Sequence, residues 1–226
     1  MRRKLLVIGL ILCLSVIMTA CGKNSGQEST NASASSGTAS SELASPSDAA
    51  DQFMKAVKQK DEKTLDQIYL GDTEKVFGAL ESEDIEDAVG EKTMEQVEDK
   101  LFGFKYELGE EKIDGDKASV DVNIRTYDFG GLIGDFMQDY FANAISAALK
   151  GKDDSRIQED ALKTFRSSMK DLEFSSDRDA TIWLTKKDGE WVVKDLSSNT
   201  TFLDALTGGA YSRMIKISKQ VEKLTS

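Results

Sequence analysis

The sequence predicts an α+β fold, with helices first and then a curved antiparallel sheet made of two hairpins. A pair of longer helices lies between the hairpins. Three observations carry this reading. Apolar residues recur at three- and four-residue spacing near the start of the folded part, as on one face of a helix. The period then drops to two at Phe104, Tyr106 and Leu108 and again at Val120, Val122 and Ile124. Asp114-Gly115 and Asp188-Gly189 punctuate alternating runs, as hairpin turns do. Helices followed by hairpins are an α+β pattern.

The elements follow in order. Ser45 suits an N-cap, Pro46 the first helical position, and Asp48 completes a capping-box-like pattern. Ala49, Phe53, Met54 and Val57 then mark one helix face. A second short helix carries Leu65, Ile68 and Tyr69, and Gly71 is expected to end it as its C′ residue. A third stretch carries Val76, Phe77 and Leu80. Residues 81–87 are an acidic run without the ligand spacing of a calcium loop, so a solvated face is the expectation. A further helix spans 93–102, with Met94, Val97 and Leu101 on one side.

The first hairpin poses a register problem. A strict two-residue Asp114-Gly115 loop would set the apolar residues of one strand opposite the polar residues of the other. A one-residue slip inverts a strand's faces, so an odd-numbered loop or a bulge is required. In the second hairpin a two-residue Asp188-Gly189 loop sets Leu184 opposite Val193, with Ile182 and Trp191 on the same face. Trp183 and Val192 share the other face, which therefore lines a cavity or is covered by another element.

Between the hairpins, Leu132, Ile133, Phe136, Met137, Tyr140, Phe141, Ile145 and Leu149 form a wide apolar stripe, entered through Gly130, Gly131 and Gly134, which are expected to loosen it. The next helix opens at Ser155 and carries Ile157, Leu162, Phe165, Met169 and Leu172. Core packing is the expected role of both stripes; docking of a partner on the first is the alternative. A short helix over 200–207 is stopped by Gly208-Gly209. A last helix carries Tyr211, Met214, Ile215, Ser218, Val221 and Leu224, and its final turns are rich in Lys.

The chain of 226 residues carries 29 Lys+Arg, 40 Asp+Glu and no His, for a formal net charge of −11. An acidic balance argues against nucleic acid, because phosphate contacts need clustered cations. Without His there is no Ser-His-Asp triad and no zinc-hydrolase site. The two Cys cannot build a disulfide scaffold, and no metal or cofactor site is expected.

The front of the chain has its own logic. Arg2, Arg3 and Lys4 precede an uncharged apolar run over residues 5–18, too short for a membrane span of roughly 20 residues. A basic start, an apolar run and small residues at a cut describe a secretory signal. Met18-Thr19-Ala20-Cys21-Gly22 resembles the lipobox of bacterial lipoproteins, with Met18 where Leu is usual. The resemblance implies a signal peptide over 1–20, with a diacylglyceryl group (and palmitate-type acyl chains) on Cys21. It places the mature chain at the extracytoplasmic face of the cell membrane. Losing Arg2, Arg3 and Lys4 takes the formal charge from −11 to −14. Residues 21–46 are Ser-, Gly- and Ala-rich and read as a flexible tether. Residues 47–226 read as a single domain.

Several phrases in that domain resemble a known superfamily. Ser47-Asp48-Ala49-Ala50-Asp51-Gln52-Phe53-Met54-Lys55-Ala56-Val57-Lys58-Gln59-Lys60-Asp61 is similar to the first helix of the nuclear-transport-factor-2-like (cystatin-like) superfamily. Lys187-Asp188-Gly189-Glu190-Trp191-Val192-Val193 is similar to its late hairpin. Asp114-Gly115-Asp116-Lys117-Ala118-Ser119-Val120 and Thr126-Tyr127-Asp128-Phe129 resemble lipoproteins of Gram-positive bacteria with this fold. The resemblance implies a conical half-barrel of sheet around a long helix, with residues 131–172 as a helical insertion. The superfamily includes enzymes, carriers and protein-binding modules, so the fold does not imply a function.

These readings converge on a membrane-tethered, non-catalytic binding module. Its expected partner, besides the membrane, is a small apolar ligand or a cell-envelope protein. Tyr106, Tyr127, Trp183 and Trp191 are the pocket candidates, with core packing as the plainer role of each. One alternative is an enzyme using carboxylate and Tyr acid–base chemistry, for which Asp128, between Tyr127 and Phe129, is the candidate. The other is a structural assembly subunit using the 132–149 stripe.

Overall fold

The computed structural model describes residues 45–73, 90–150 and 154–225, and within them the side chains of 144, 145, 147–150, 154–158, 221, 224 and 225 are left aside. The signal segment, Cys21, most of the tether, the stretch with Val76, Phe77 and Leu80, and the acidic run 81–87 lie outside the described residues.

The first helix, α1 (Pro46–Gln59), starts as its sequence dictates. Ser45 takes an extended backbone, its hydroxyl accepts the Asp48 N–H and donates to the Asp48 carboxylate, and Pro46 occupies the first turn. Ala49, Ala50, Phe53, Met54 and Val57 are buried on one face. Lys60, in the left-handed region at φ 54°, ends the helix, and Asp61 caps α2 (Glu62–Ile68) through the Thr64 N–H.

Gly71 does not stop α2. The helix ends at Ile68, and Tyr69 turns extended to bridge Val193 in parallel. The Tyr69 hydroxyl accepts the Leu196 N–H at 3.2 Å, which fixes that turn. Gly71 is needed for space instead, because a Cβ there would lie 2.2 Å from the Tyr69 ring. After α3 (Glu91–Phe102) come β1 (Lys105–Asp114) and β2 (Lys117–Thr126), then α4 (Phe129–Lys150) and α5 (Asp154–Lys170). The chain continues through β3 (Ser176–Lys187), β4 (Glu190–Val193), α6 (Thr200–Leu206) and α7 (Ala210–Thr225).

The described strands form one open antiparallel sheet in the order β1-β2-β3-β4. The first hairpin resolves its register with a bulge. Its turn is Gly115-Asp116, one residue later than the Asp-Gly dipeptide, and the register shifts between Leu108 and Glu111. Tyr106 then faces Ile124 and Leu108 faces Val122, so both apolar sets share the inner face. Beyond the bulge Glu111 lies opposite Val120, and its carboxylate accepts the N–H and hydroxyl of Ser47 at 2.8 and 2.6 Å. An anion there is favourable, since the first turn of α1 presents unpaired N–H groups. The second hairpin has the expected register, Leu184 opposite Val193, with Asp188 and Gly189 at φ 53° and 92°.

The main core lies between the inner sheet face and α1, α2 and α6. Val120, Ile124, Ile182, Leu184 and Val193 meet Phe53, Met54, Val57, Leu65 and Phe202. Truncating one such aromatic costs roughly 3–5 kcal/mol. Two smaller clusters join α4 to α5 and α7: Phe129 and Leu132 with Met169 and Ala210, and Met137 with Met214 and Ile217. Much of the long stripe is therefore covered, although Phe141 remains 43% exposed. The α4 glycines serve close packing rather than a loose entry. A Cβ on Gly130 would lie 2.7 Å from the Gly209 backbone, and one on Gly134 2.8 Å from the Arg213 guanidinium. Among the described residues no helix is long and apolar enough to cross a membrane.

Candidate functional site

The four aromatic candidates occupy four different places. Tyr106 is half-buried on the inner face of β1, its hydroxyl bonded to the Asp51 carboxylate at 2.7 Å. Burial, and then the Asp51 charge, push its phenol well above the usual value. Tyr127 stands edge-on to Phe174 at 5.1 Å, with the Lys100 ammonium 4.1 Å from its ring centroid. Trp191 is buried in the main core, with the Lys186 ammonium 5.0 Å from its ring. Trp183 projects from the outer sheet face, 52% exposed, while its face-mate Val192 is buried. The structure gives Tyr106, Tyr127 and Trp191 local packing partners and does not bring the four together.

Asp128 is spent on a helix start. Its carboxylate accepts the Gly131 N–H at 2.9 Å and its carbonyl the Leu132 N–H, which caps α4. Among the described residues no group of three or more His, Cys, Asp or Glu could hold a metal ion.

A cleft of about 440 Å³ opens instead between β3, α6 and α7. Arg178 and Asp179 enter it from β3, Thr200, Thr201 and Asp204 from α6, and Tyr211, Ser212, Ile215, Lys216 and Lys219 from α7. Its volume falls in the range of small-molecule sites. Two glycines set its geometry. Gly208 and Gly209 adopt φ 55° and 85°, which turns the chain directly from α6 into α7. A Cβ on Gly208 would lie 1.9 Å from the Tyr127 carbonyl, and one on Gly209 2.5 Å from the Arg178 guanidinium. Helix α7 can therefore start close against β3 and the first turn of α4, where the Gly130 N–H donates to the Gly208 carbonyl at 2.9 Å.

Asp204 holds the cleft together. One carboxylate oxygen accepts the Ser212 N–H in the first turn of α7 at 2.8 Å. The other accepts Arg178 Nη1 at 2.9 Å, and Arg178 Nε donates to the Ser176 hydroxyl at 3.1 Å. The Asp204 side chain is 17% exposed and that of Arg178 43%, so the pair is open to solvent on its arginine side. Asp179, the second carboxylate, accepts the Asn123 amide at 2.9 Å. Both carboxylates are thus engaged. Among the described residues neither Lys216 nor Lys219 has a carboxylate at bridging distance.

Sequence reasoning did not single out Arg178, Asp204, Lys216 or Lys219. A signal was present in the Lys216, Lys219 and Lys223 spacing, which stacks cations on one side of a helix in an otherwise acidic chain. Nothing in the sequence says that β3 lies beside that helix.

No protein-family profile matches the chain, and no curated protein matches it. Among solved structures it is similar to ycdA, a candidate lipoprotein of Bacillus subtilis, at 16% identity and a TM-score of 0.45. The likeness covers 70% of this chain and 55% of that one, so the chain spans just over half of that protein's length.

Proposed function

We infer that the chain is an extracytoplasmic lipoprotein whose folded domain is a non-catalytic binding module, with the cleft between β3, α6 and α7 as its site. The N-terminal sequence carries this reading. Arg2, Arg3 and Lys4, the apolar run over 5–18 and the Met18–Gly22 pattern place a lipid-modifiable Cys21 at the cut. A diacylglyceryl group supplies two acyl chains, enough for stable anchoring. The tether then lets a soluble domain work away from the bilayer.

The packing supports a surface site over an enclosed one. The inner sheet face, where a cone-like fold would carry its pocket, is filled by Phe53, Phe202 and their neighbours. An envelope component therefore suits the domain better as a partner than a small apolar molecule. The cone-like, nuclear-transport-factor-2-like assignment belongs to this proposal and accords with α1 lying across an antiparallel sheet.

Expression of the wild type and Cys21→Ser in a bacterial host, fed a clickable fatty acid, tests the anchor. Wild type should be labelled and membrane-bound; Cys21→Ser should be unlabelled. A wild type that is neither labelled nor membrane-bound contradicts the proposal.

A further inference from the structure

Trp183 is the one aromatic candidate to which the fold gives no packing role. Its indole is 52% exposed on the outer sheet face, opposite Ser119, with Thr181 and Thr185 at the neighbouring outward positions of β3. A water-facing side of an antiparallel sheet ordinarily carries polar residues, so a large flat apolar ring is the exception there. Its place relative to the cleft gives it meaning. Asp179, Thr181 and Trp183 are successive outward positions of one strand, and Asp179 lines the cleft. Four residues of strand, at about 3.4 Å each, put the cleft wall about 14 Å from the ring. The strip between them has no net charge. On the outward positions of β2 and β3, Lys117, Arg125 and Lys187 match Asp121, Asp177 and Asp179 in number. Arg125 and Asp177 pair at 3.4 Å. Within the cleft, cations exceed carboxylates by one. In a chain of formal charge −11, a strip so balanced suits an uncharged ligand.

We propose that an uncharged glycan chain lies along β3, with one sugar stacked on Trp183 and the chain running past Thr181 into the cleft. A pyranose has an apolar C–H face that fits an indole, and a rim of hydroxyls that both donate and accept. The indole offers a rigid apolar surface at the height of the sheet. The Thr200, Thr201 and Tyr211 hydroxyls in the cleft can donate to and accept from the sugar rim. A peptide fits this strip less well. Strand addition needs a sheet edge, and a docked helix needs several apolar anchors. Trp183 stands alone as a large apolar residue among the outward positions of β2 and β3.

The inference rests on the cleft being the binding site and names its ligand class. Its test uses the full chain in polyoxyethylene-ether micelles, which carry no sugar. The chain is titrated calorimetrically with N-acetylglucosamine, its trimer and its hexamer, and with cellohexaose. At least one hexamer should bind with a Kd of about 1 mM or tighter. The monosaccharide should bind about tenfold more weakly or worse, because it cannot reach both ring and cleft. Trp183→Ala and Tyr211→Ala should each weaken the hexamer, the first by about tenfold or more. Ile113→Ala, which removes a side chain of a residue 57% exposed and off this strip, should leave binding unaltered. Circular dichroism matching the wild type confirms that each variant is folded. In Trp191→Phe, the hexamer should shift Trp183 emission to the blue and shield it from acrylamide. No saturable binding of either hexamer, a monosaccharide as tight as its hexamer, or equal losses in Trp183→Ala and Ile113→Ala overturns the proposal. A loss in Trp183→Ala with none in Tyr211→Ala overturns the path into the cleft. A lipid-labelled chain that binds no glycan removes this ligand and leaves the anchor. An unlabelled chain that binds the hexamer does the reverse.

Discussion

The Tyr106 hydroxyl donates to the Asp51 carboxylate across 2.7 Å and so ties the edge strand β1 to helix α1. Lys55, one turn along α1, pairs with the other carboxylate oxygen at 2.6 Å. Burial alone would raise the Asp51 carboxyl, but the bonds from Lys55 and Tyr106 together outweigh it and hold the group below the usual value. A carboxyl depressed by folding stabilises the native state above its unfolded pKa. That stability is lost as pH falls through the folded pKa. Tyr106→Phe should therefore cost about 1 kcal/mol near neutral pH in urea titrations. The penalty should begin to fade as pH falls below the ordinary aspartate value of about 3.9 and vanish once the pH passes the lower folded value.

The two tryptophans should separate cleanly. Trp183 is 52% exposed and Trp191 5%. Acrylamide should quench Trp183 readily in the Trp191→Phe variant and quench little in Trp183→Phe. Trp183→Ala should change stability by no more than about 0.5 kcal/mol, whereas Trp191→Ala should cost roughly 3–5 kcal/mol by denaturant unfolding.

Asp204 links two elements, so its removal should be felt in both. Asp204→Ala loses the bond to the Ser212 N–H and strands the Arg178 guanidinium. A cost of about 1–2 kcal/mol is expected, with faster amide exchange in the first turn of α7. Asp204→Asn keeps one acceptor and should recover part of that protection.

Glycine substitutions should grade by space. Gly115 and Gly208 both have positive φ, 58° and 55°. Gly115 has nothing within 4 Å of a new Cβ, so Gly115→Ala should cost only the left-handed strain, about 1–2 kcal/mol. Gly208→Ala would put its Cβ 1.9 Å from the Tyr127 carbonyl, a backbone atom that cannot swing aside. Its melting temperature should fall much further than that of Gly115→Ala.

Most of the frame was legible in the sequence because local rules decided it. Ser45 and Pro46 start α1 with their own chemistry, and Asp188-Gly189 sets the register of its hairpin. The first hairpin's bulge followed from the requirement that Leu108 and Val122 share a face. Gly71 was misread as a helix stop, because its role depends on the Tyr69 ring, which the distant Leu196 N–H holds in place. The cleft was illegible for the same reason. Arg178, Asp204 and Lys216 are separated in sequence and meet only after α6 and α7 fold back on β3. The aromatic candidates were chosen by residue type, and three of the four went to packing that any fold would ask of them.

In the proposed function Cys21 is the lipid-bearing first residue of a surface domain. Mass spectrometry of the N-terminal peptide from the membrane fraction tests it most directly. The expected peptide begins at Cys21 and carries a diacylglyceryl group. An unmodified Cys21 within a longer peptide, or a mature N-terminus at another residue, would contradict it.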